Sequence, residues 1–286
     1  MIQTVAINSR SGLAFTADVA GPTDGPLVLL LHGFPESRHS WGGALPALAG
    51  AGYRAVAPDQ RGYSPGARPD PAELANYAFD RLVDDAIEIA AAAGYDGKRF
   101  HLVGHDWGGQ VSWGVAGKYP ERLASLTILS RPHPKSFRRA LLDEAGDQKH
   151  RSRHHKAFLE PETGGMLLAD NAKRLRDGLF GQGVPAAALE EHLSVLGNPA
   201  ALEAALAWYR ANKGLAAEID TIQVPTLYIW GDADATVGPD AARGTGEFVG
   251  AAYAMEVLPG VGHFVMDQAP AKATELLLGH LAKHPV

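Results

Sequence analysis

The run Phe100-His101-Leu102-Val103-Gly104-His105-Asp106-Trp107-Gly108-Gly109 constrains the fold of this chain more than any other stretch. An apolar, strand-like segment ends at Gly104, and helical spacing runs from Gly108 to about Lys118. One acid, Asp106, stands between them. The pattern G-x-Asp-x-G-G is that of a nucleophile elbow, where a strand passes to a helix in one sharp turn. A side chain at Gly104, Gly108 or Gly109 would clash across such a turn, so glycine holds all three positions. Serine is the usual central residue of an elbow. Aspartate is here, and that substitution is the most informative fact in the sequence.

The flanking sequence alternates strand and helix. Residues 2–8 and 13–19 read as a hairpin, and the continuous apolar run 27–31 reads as a strand buried on both faces. A short helix is expected over 41–48 and a strand over 53–57. A long helix over 78–93 places Leu82, Ile87, Ile89 and Ala90 inward and Asp84, Asp85 and Glu88 outward. After the elbow come strands at 123–129, 224–230 and 253–258, helical spacing over 241–249, and a closing helix at 271–282. The alternation is interrupted from about Arg131, where roughly 80 residues show helical spacing and no convincing strand. This order predicts an α/β fold: a mostly parallel twisted sheet with helices on both faces. Residues 1–130 and 215–286 form the core, and 131–214 form a helical cap, or lid. In such sheets ligands bind beyond the carboxyl ends of the strands. His32, Phe34, Asp106, Asp234 and His263 all follow strands, and the helical insertion leaves from the same edge.

With 286 residues, 46% of them hydrophobic, the chain can bury a sizeable core. A net charge of −6 gives no reason to expect a nucleic-acid partner. The chain has no cysteine, which excludes disulfides, thiolate catalysis and Cys-ligated metals. The N-terminus lacks a basic segment followed by an apolar one, and no apolar run approaches the roughly 20 residues that span a bilayer. The expectation is a cytoplasmic soluble protein without a membrane partner.

Asp106, Asp234 and His263 stand in the order nucleophile, acid, base. Asp234, three residues after Gly231, is preferred as the acid that orients the imidazole, with Asp232 as the alternative. A serine must lose a proton before attacking, whereas a carboxylate with an ordinary pKa of about 3.9 attacks as it stands. Attack on an ester would give an uphill anhydride. Attack on a saturated carbon bearing a leaving group gives an ordinary alkyl ester. His263 is then free to activate the water that hydrolyses this ester. The oxyanion formed belongs to Asp106 itself, and the backbone N–H groups of Phe34 and Trp107 are its candidate donors.

Three motifs now carry a resemblance: His32-Gly33-Phe34-Pro35-Glu36-Ser37, Asp59-Gln60-Arg61-Gly62-Tyr63-Ser64 and the elbow. Together they resemble the α/β-hydrolase-fold epoxide hydrolases and their haloalkane-dehalogenase relatives over nearly the whole core. The resemblance implies a covalent alkyl-aspartate mechanism with no cofactor and no metal, a cis bond before Pro35, and a small apolar epoxide or halide as substrate. It also implies two acid tyrosines in the cap. Tyr209, in Ala207-Trp208-Tyr209-Arg210-Ala211-Asn212, resembles the second. The first belongs near Ala157-Phe158-Leu159-Glu160-Pro161, where there is none. His154 and His155 lie just upstream as candidate substrate-binding residues, in a basic run, 149–156, that equally suits a solvated helix face. The Trp107 indole is either a halide contact or a pocket wall. Epoxide opening to a vicinal diol is the leading expectation. Haloalkane or haloacid dehalogenation, ester or lactone hydrolysis, and non-catalytic binding of a small ligand are the alternatives.

Overall fold

The structure is a computed structural model that describes residues 1–213 and 219–286. Eight strands form one sheet: β1 (Gln3–Asn8), β2 (Ala14–Ala20), β3 (Leu27–Leu31), β4 (Arg54–Pro58), β5 (Phe100–His105), β6 (Leu123–Leu129), β7 (Thr226–Gly231) and β8 (Tyr253–Leu258). Their order across the sheet is β1-β2-β4-β3-β5-β6-β7-β8. Only β2 runs against its neighbours, and every other pairing, from β4 to β8, is parallel. Residues 2–8 and 13–19 do form the hairpin, which lies at one edge.

All residues of β3, β5, β6 and β7 are buried, as continuous apolar runs covered on both faces must be. The strand period of two splits them between two cores. Leu29, Leu31 and Leu102 face the core that includes Leu82, Val83 and Trp113. Val28, Leu30 and Val103 face the other, with Trp41, Leu45 and Leu277.

Several elements differ from the sequence reading. The helix expected over 41–48 is a short 3₁₀ turn, Arg38–Trp41, followed by the helix Leu45–Gly50. Residues 241–249 divide in the same way into Pro239–Arg243 and a 3₁₀ segment, Gly244–Phe248. In the helix Phe79–Ala90, Asp85 is buried rather than outward. It lies on the Leu82–Ala86–Ile89 stripe and meets Arg61, whose Nε and Nη2 each donate to the carboxylate at 2.6 Å. Burial pushes the Asp85 carboxyl up to about 6 in spite of this pair. The helical pattern marked a charge as surface because its partner lies 24 residues away in another loop.

Between β6 and β7 the described residues contain no strand. The helices Pro134–Leu142, Gln148–Arg151, His154–Ala157, Thr163–Gly181, Ala186–Leu196 and Pro199–Ala211 follow one another. Thr163–Gly181 is interrupted by left-handed backbone at Asp170, Asn171 and Ala172. The boundary expected at 214/215 lies outside the described residues. This insertion is tied to the loops at the strand ends: the Trp208 indole donates to the Arg61 carbonyl at 3.0 Å, and Arg151 donates to the Asp234 carbonyl at 2.6 Å. No helix among the described residues is long and apolar enough to cross a membrane.

The β5 turn brings backbones into contact. A Cβ on Gly108 would lie 2.1 Å from the Leu31 carbonyl oxygen, and one on Gly104 would lie 2.4 Å from that of Gly108. Neither backbone can yield without moving the sheet. Gly108→Ala should therefore lower the unfolding free energy by about 3 kcal/mol, the upper end of overpacking costs, measured by urea denaturation.

Candidate active site

Asp106 is the first residue of the helix Asp106–Lys118 and adopts φ of +47°. That is an uncommon conformation for a residue with a side chain. It turns the carboxylate away from the helix it begins and toward the loop after β3. There Asp106 Oδ1 accepts the Phe34 N–H at 3.0 Å. The Phe34–Pro35 peptide in this loop is cis.

Asp106 Oδ2 faces His263 Nε2 at 3.6 Å, and His263 Nδ1 lies 2.9 Å from Asp234 Oδ2. Asp234 is itself fixed by the N–H groups of Thr236 and Val237, which donate to Oδ1 at 2.7 and 2.9 Å. Asp232 points elsewhere: it is exposed and accepts the Gly260 N–H at 2.7 Å. Asp234 is thus the carboxylate against the imidazole. Burial opposes a charge on His263, but Asp234 and then Asp106 outweigh it and push its pKa up to about 10. Burial likewise opposes charge on Asp106, and the contact with His263 reverses this, holding the carboxyl well below its ordinary value. The resting site is a buried carboxylate–imidazolium–carboxylate array.

Tyr209 comes from the helix Pro199–Ala211 of the insertion. Its ring lies 5.1 Å from Trp107, 4.9 Å from Phe158, 5.6 Å from Phe34 and 5.6 Å from His155. Burial pushes its phenol well above the ordinary value, Asp106 adds to this, and Trp107 and Arg131 oppose it. The phenol therefore keeps its proton. A cavity of about 300 Å³ lies over the carboxylate, bordered by Asp106, His263, Phe34, Tyr209, Phe158 and His154, with Leu167, Leu175 and Leu179 farther along the wall. Of the histidine pair, His154 lines the cavity, whereas His155 packs against Tyr209 and does not. Burial lowers both, His155 to about 3, so both are neutral near pH 7. Trp107 is also off the cavity wall, stacked edge-on to Trp208 and Tyr209.

Two groups at this site carry no assignment in the sequence reading. His105 Nδ1 lies 2.6 Å from Glu36 Oε2, and its Nε2 lies 2.8 Å from the His263 carbonyl oxygen. Both partners are acceptors, so both ring nitrogens carry protons and the ring is an imidazolium. Burial works against this charge, and Glu36 more than restores it. The pair anchors the backbone of His263 from below. Strand alternation puts His105 on the face opposite Asp106, a signal in the sequence, but its partner lies 69 residues away. Next to Glu36, His192 of the helix Ala186–Leu196 approaches Ser37 Oγ at 3.1 Å and Asp267 Oδ2 at 3.2 Å. Glu36, His192 and Asp267 bring one ligand atom each within 4.8 Å of one another and are, among the described residues, the group that could hold a metal ion. Protonated His105 already answers the Glu36 charge there.

Burial would raise the Glu36 carboxyl, but His105 wins and holds it below its ordinary 4.5. A depressed acid contributes stability that is present above the unfolded pKa and is lost as pH falls below it. Wild-type urea midpoints should accordingly fall on acidification below that 4.5. Glu36→Gln, which leaves His105 buried without its counter-charge, should cost about 3 kcal/mol at neutral pH and flatten that acid limb.

Residues 26–270 match the family described as alpha/beta hydrolase fold. The AB hydrolase superfamily protein YfhM of Bacillus subtilis is 32% identical over 280 residues, with 96% of each chain covered. Epoxide hydrolase A of Mycobacterium tuberculosis is 31% identical over 321 residues, with 97% of each chain covered. Among solved structures, epoxide hydrolase A from Mycobacterium thermoresistibile superposes with a TM-score of 0.84 at 26% identity, over 100% of both chains. The chain belongs to the α/β-hydrolase fold family, in its epoxide-hydrolase-like branch, and is a hydrolase.

Proposed function

We propose that the protein opens an epoxide to a vicinal diol through an alkyl ester on Asp106. The observation that carries this reading is the buried Asp106 carboxylate, charged at rest, with Oδ1 on the Phe34 N–H and Oδ2 toward His263. An acid in that place needs no base to become a nucleophile.

In the first step Asp106 attacks one epoxide carbon, the carbon–oxygen bond breaks, and the departing oxygen takes the Tyr209 proton. Residues 131–214 act as the lid that supplies this phenol. Phe158 stands beside Tyr209 without a hydroxyl, so a single tyrosine is the acid. Ester formation removes the Asp106 charge, one of the two that hold the His263 proton. The imidazole can then release that proton to the phenolate and act as base. In the second step it takes a proton from water, whose oxygen attacks the ester carbonyl. The N–H groups of Phe34 and Trp107 receive the oxyanion. One such donor contributes about 2.7–4 kcal/mol in a comparable site. Collapse expels the diol, which takes the proton from His263, and the Asp106 carboxyl then returns its own proton to the imidazole, restoring the carboxylate and imidazolium of the resting site. Asp234 keeps the ring oriented throughout.

The epoxide reading is favoured over a halide by the position of Trp107. Its indole packs edge-on against Tyr209 and Trp208 and does not line the cavity. The cavity wall offers instead a protonated phenol, which an alkoxide needs and a halide does not.

His263→Gln should keep the first step and lose the second. With a styrene-type epoxide, intact-protein mass spectrometry should record one added substrate per chain while turnover falls by about 10²–10⁴-fold. A variant that neither turns over nor gains mass would exclude the ester. Tyr209→Phe should slow the first step by about 10²-fold or more in stopped-flow traces, the usual worth of a positioned acid.

A further inference from the structure

The helical insertion carries Tyr209 to the site, and it also grips the loops on either side of Asp106. His192 lies on the buried face of the helix Ala186–Leu196 and is fully enclosed. Its Nδ1 lies 3.1 Å from Ser37 Oγ, and its Nε2 lies 3.2 Å from Asp267 Oδ2. Ser37 belongs to the loop after β3, and Asp267 to the short helix Val265–Gln268 that follows His263. One side chain of the insertion therefore spans both.

Each loop passes this contact on to a group that faces Asp106. The Glu36 N–H donates to the Gly33 carbonyl at 3.2 Å, and the Ser40 N–H to that of Ser37 at 3.1 Å. Residues 33–37 thus form one tight turn, and holding Ser37 holds the Phe34 N–H. On the other side the Val265 N–H donates to the His263 carbonyl at 3.0 Å, and the Asp267 N–H to that of Phe264 at 3.1 Å. Holding Asp267 holds His263. The neighbouring Gln268 repeats the arrangement. Its amide donates to the Gln182 carbonyl of the insertion and accepts the N–H of Gly262, the residue before His263.

The two groups so held matter unequally to the two steps. In ester formation negative charge leaves Asp106, so contacts that hold this charge weaken in the transition state and do not speed the step. In ester hydrolysis charge builds on the same carboxyl, and the N–H and the base must both stand in place. Tyr209, the acid of the first step, is held separately. Beside it Trp208 donates to the Arg61 carbonyl, and Asn212 donates to that of Tyr77, each at 3.0 Å. We propose that His192 is a positioning residue for ester hydrolysis: docked between Ser37 and Asp267, it brings the Phe34 N–H and the His263 imidazole to bear on one carboxyl. The proposal rests on the Asp106-ester reading and adds to it the residue that couples the insertion to the second step.

The test resolves the two steps. With a styrene-type epoxide, rapid-quench mass spectrometry of the intact protein follows ester formation and decay within one turnover. His192→Phe replaces the ring and makes neither contact. It should form the ester at the wild-type rate and hydrolyse it about 10²-fold more slowly, the scale of a small misplacement remote from the chemistry. The amide nitrogen of His192→Asn reproduces Nδ1 at Ser37, and that of His192→Gln reproduces Nε2 at Asp267, so each should recover part of the lost rate. Single-turnover rate constants do not depend on the fraction of active protein. Unchanged ester decay in His192→Phe, equal slowing of both steps, or no recovery in either amide variant would overturn the proposal. If the wild type forms no ester, the covalent mechanism fails by itself. Positioning is then read from the downfield proton resonance of the His263–Asp234 hydrogen bond, assigned by its loss in His263→Gln. A shift in His192→Phe that His192→Gln reverses upholds the tie between His192 and His263, and an unmoved resonance removes it.

Discussion

A buried carboxylate that must stay charged governs this structure. Asp106 sits in the interior, where desolvation favours the neutral acid. The charge survives because the Phe34 N–H and the His263 imidazolium both face it. Each of these has its own requirement. The Phe34 N–H is delivered by the loop after β3, and its approach depends on Gly33, where a Cβ would fall 2.5 Å from that of Asp106. The imidazolium depends on Asp234, and Asp234 on the N–H groups of Thr236 and Val237. Removing any one link leaves a buried charge without its complement, a far larger cost than the loss of one surface contact.

The second array, Glu36–His105, lies under the first and holds the His263 carbonyl from the sheet side. His192 extends it into the helical insertion through Ser37 and Asp267. The insertion is therefore joined to the core at three kinds of place: by hydrogen bonds near the base, by Arg151 on the acid loop, and by the Trp208–Arg61 contact. These ties fix Tyr209 with respect to Asp106, which matters because a proton donor must stand within hydrogen-bond reach of the departing oxygen.

The elbow was legible because its signal is local. Three glycines, an acid and the switch from strand to helical spacing lie within ten consecutive residues. The parallel sheet was legible for the same reason, from continuous apolar runs separated by helical segments. Asp85 was misplaced, since the wheel of its own helix cannot register Arg61. His105 and Glu36 went unassigned because each is ordinary within its own motif and gains meaning only from the other. The basic run 149–156 was open to two readings, surface face or site, and the structure divides it. Arg151 meets the acid loop, Arg153 and His154 border the cavity, and His155 backs Tyr209.

By itself, then, the sequence determined the fold class, the elbow and the chemical character of its central residue. Those follow from periodicity, from the steric demands of a tight turn and from the fact that a carboxylate carries no proton to lose at neutral pH. Tertiary structure decided which of Asp232 and Asp234 meets His263 and which charges are buried in pairs. Electrostatic partners in a folded chain are chosen by proximity in space, and residues 24, 29 or 69 positions apart come together only when the sheet has formed.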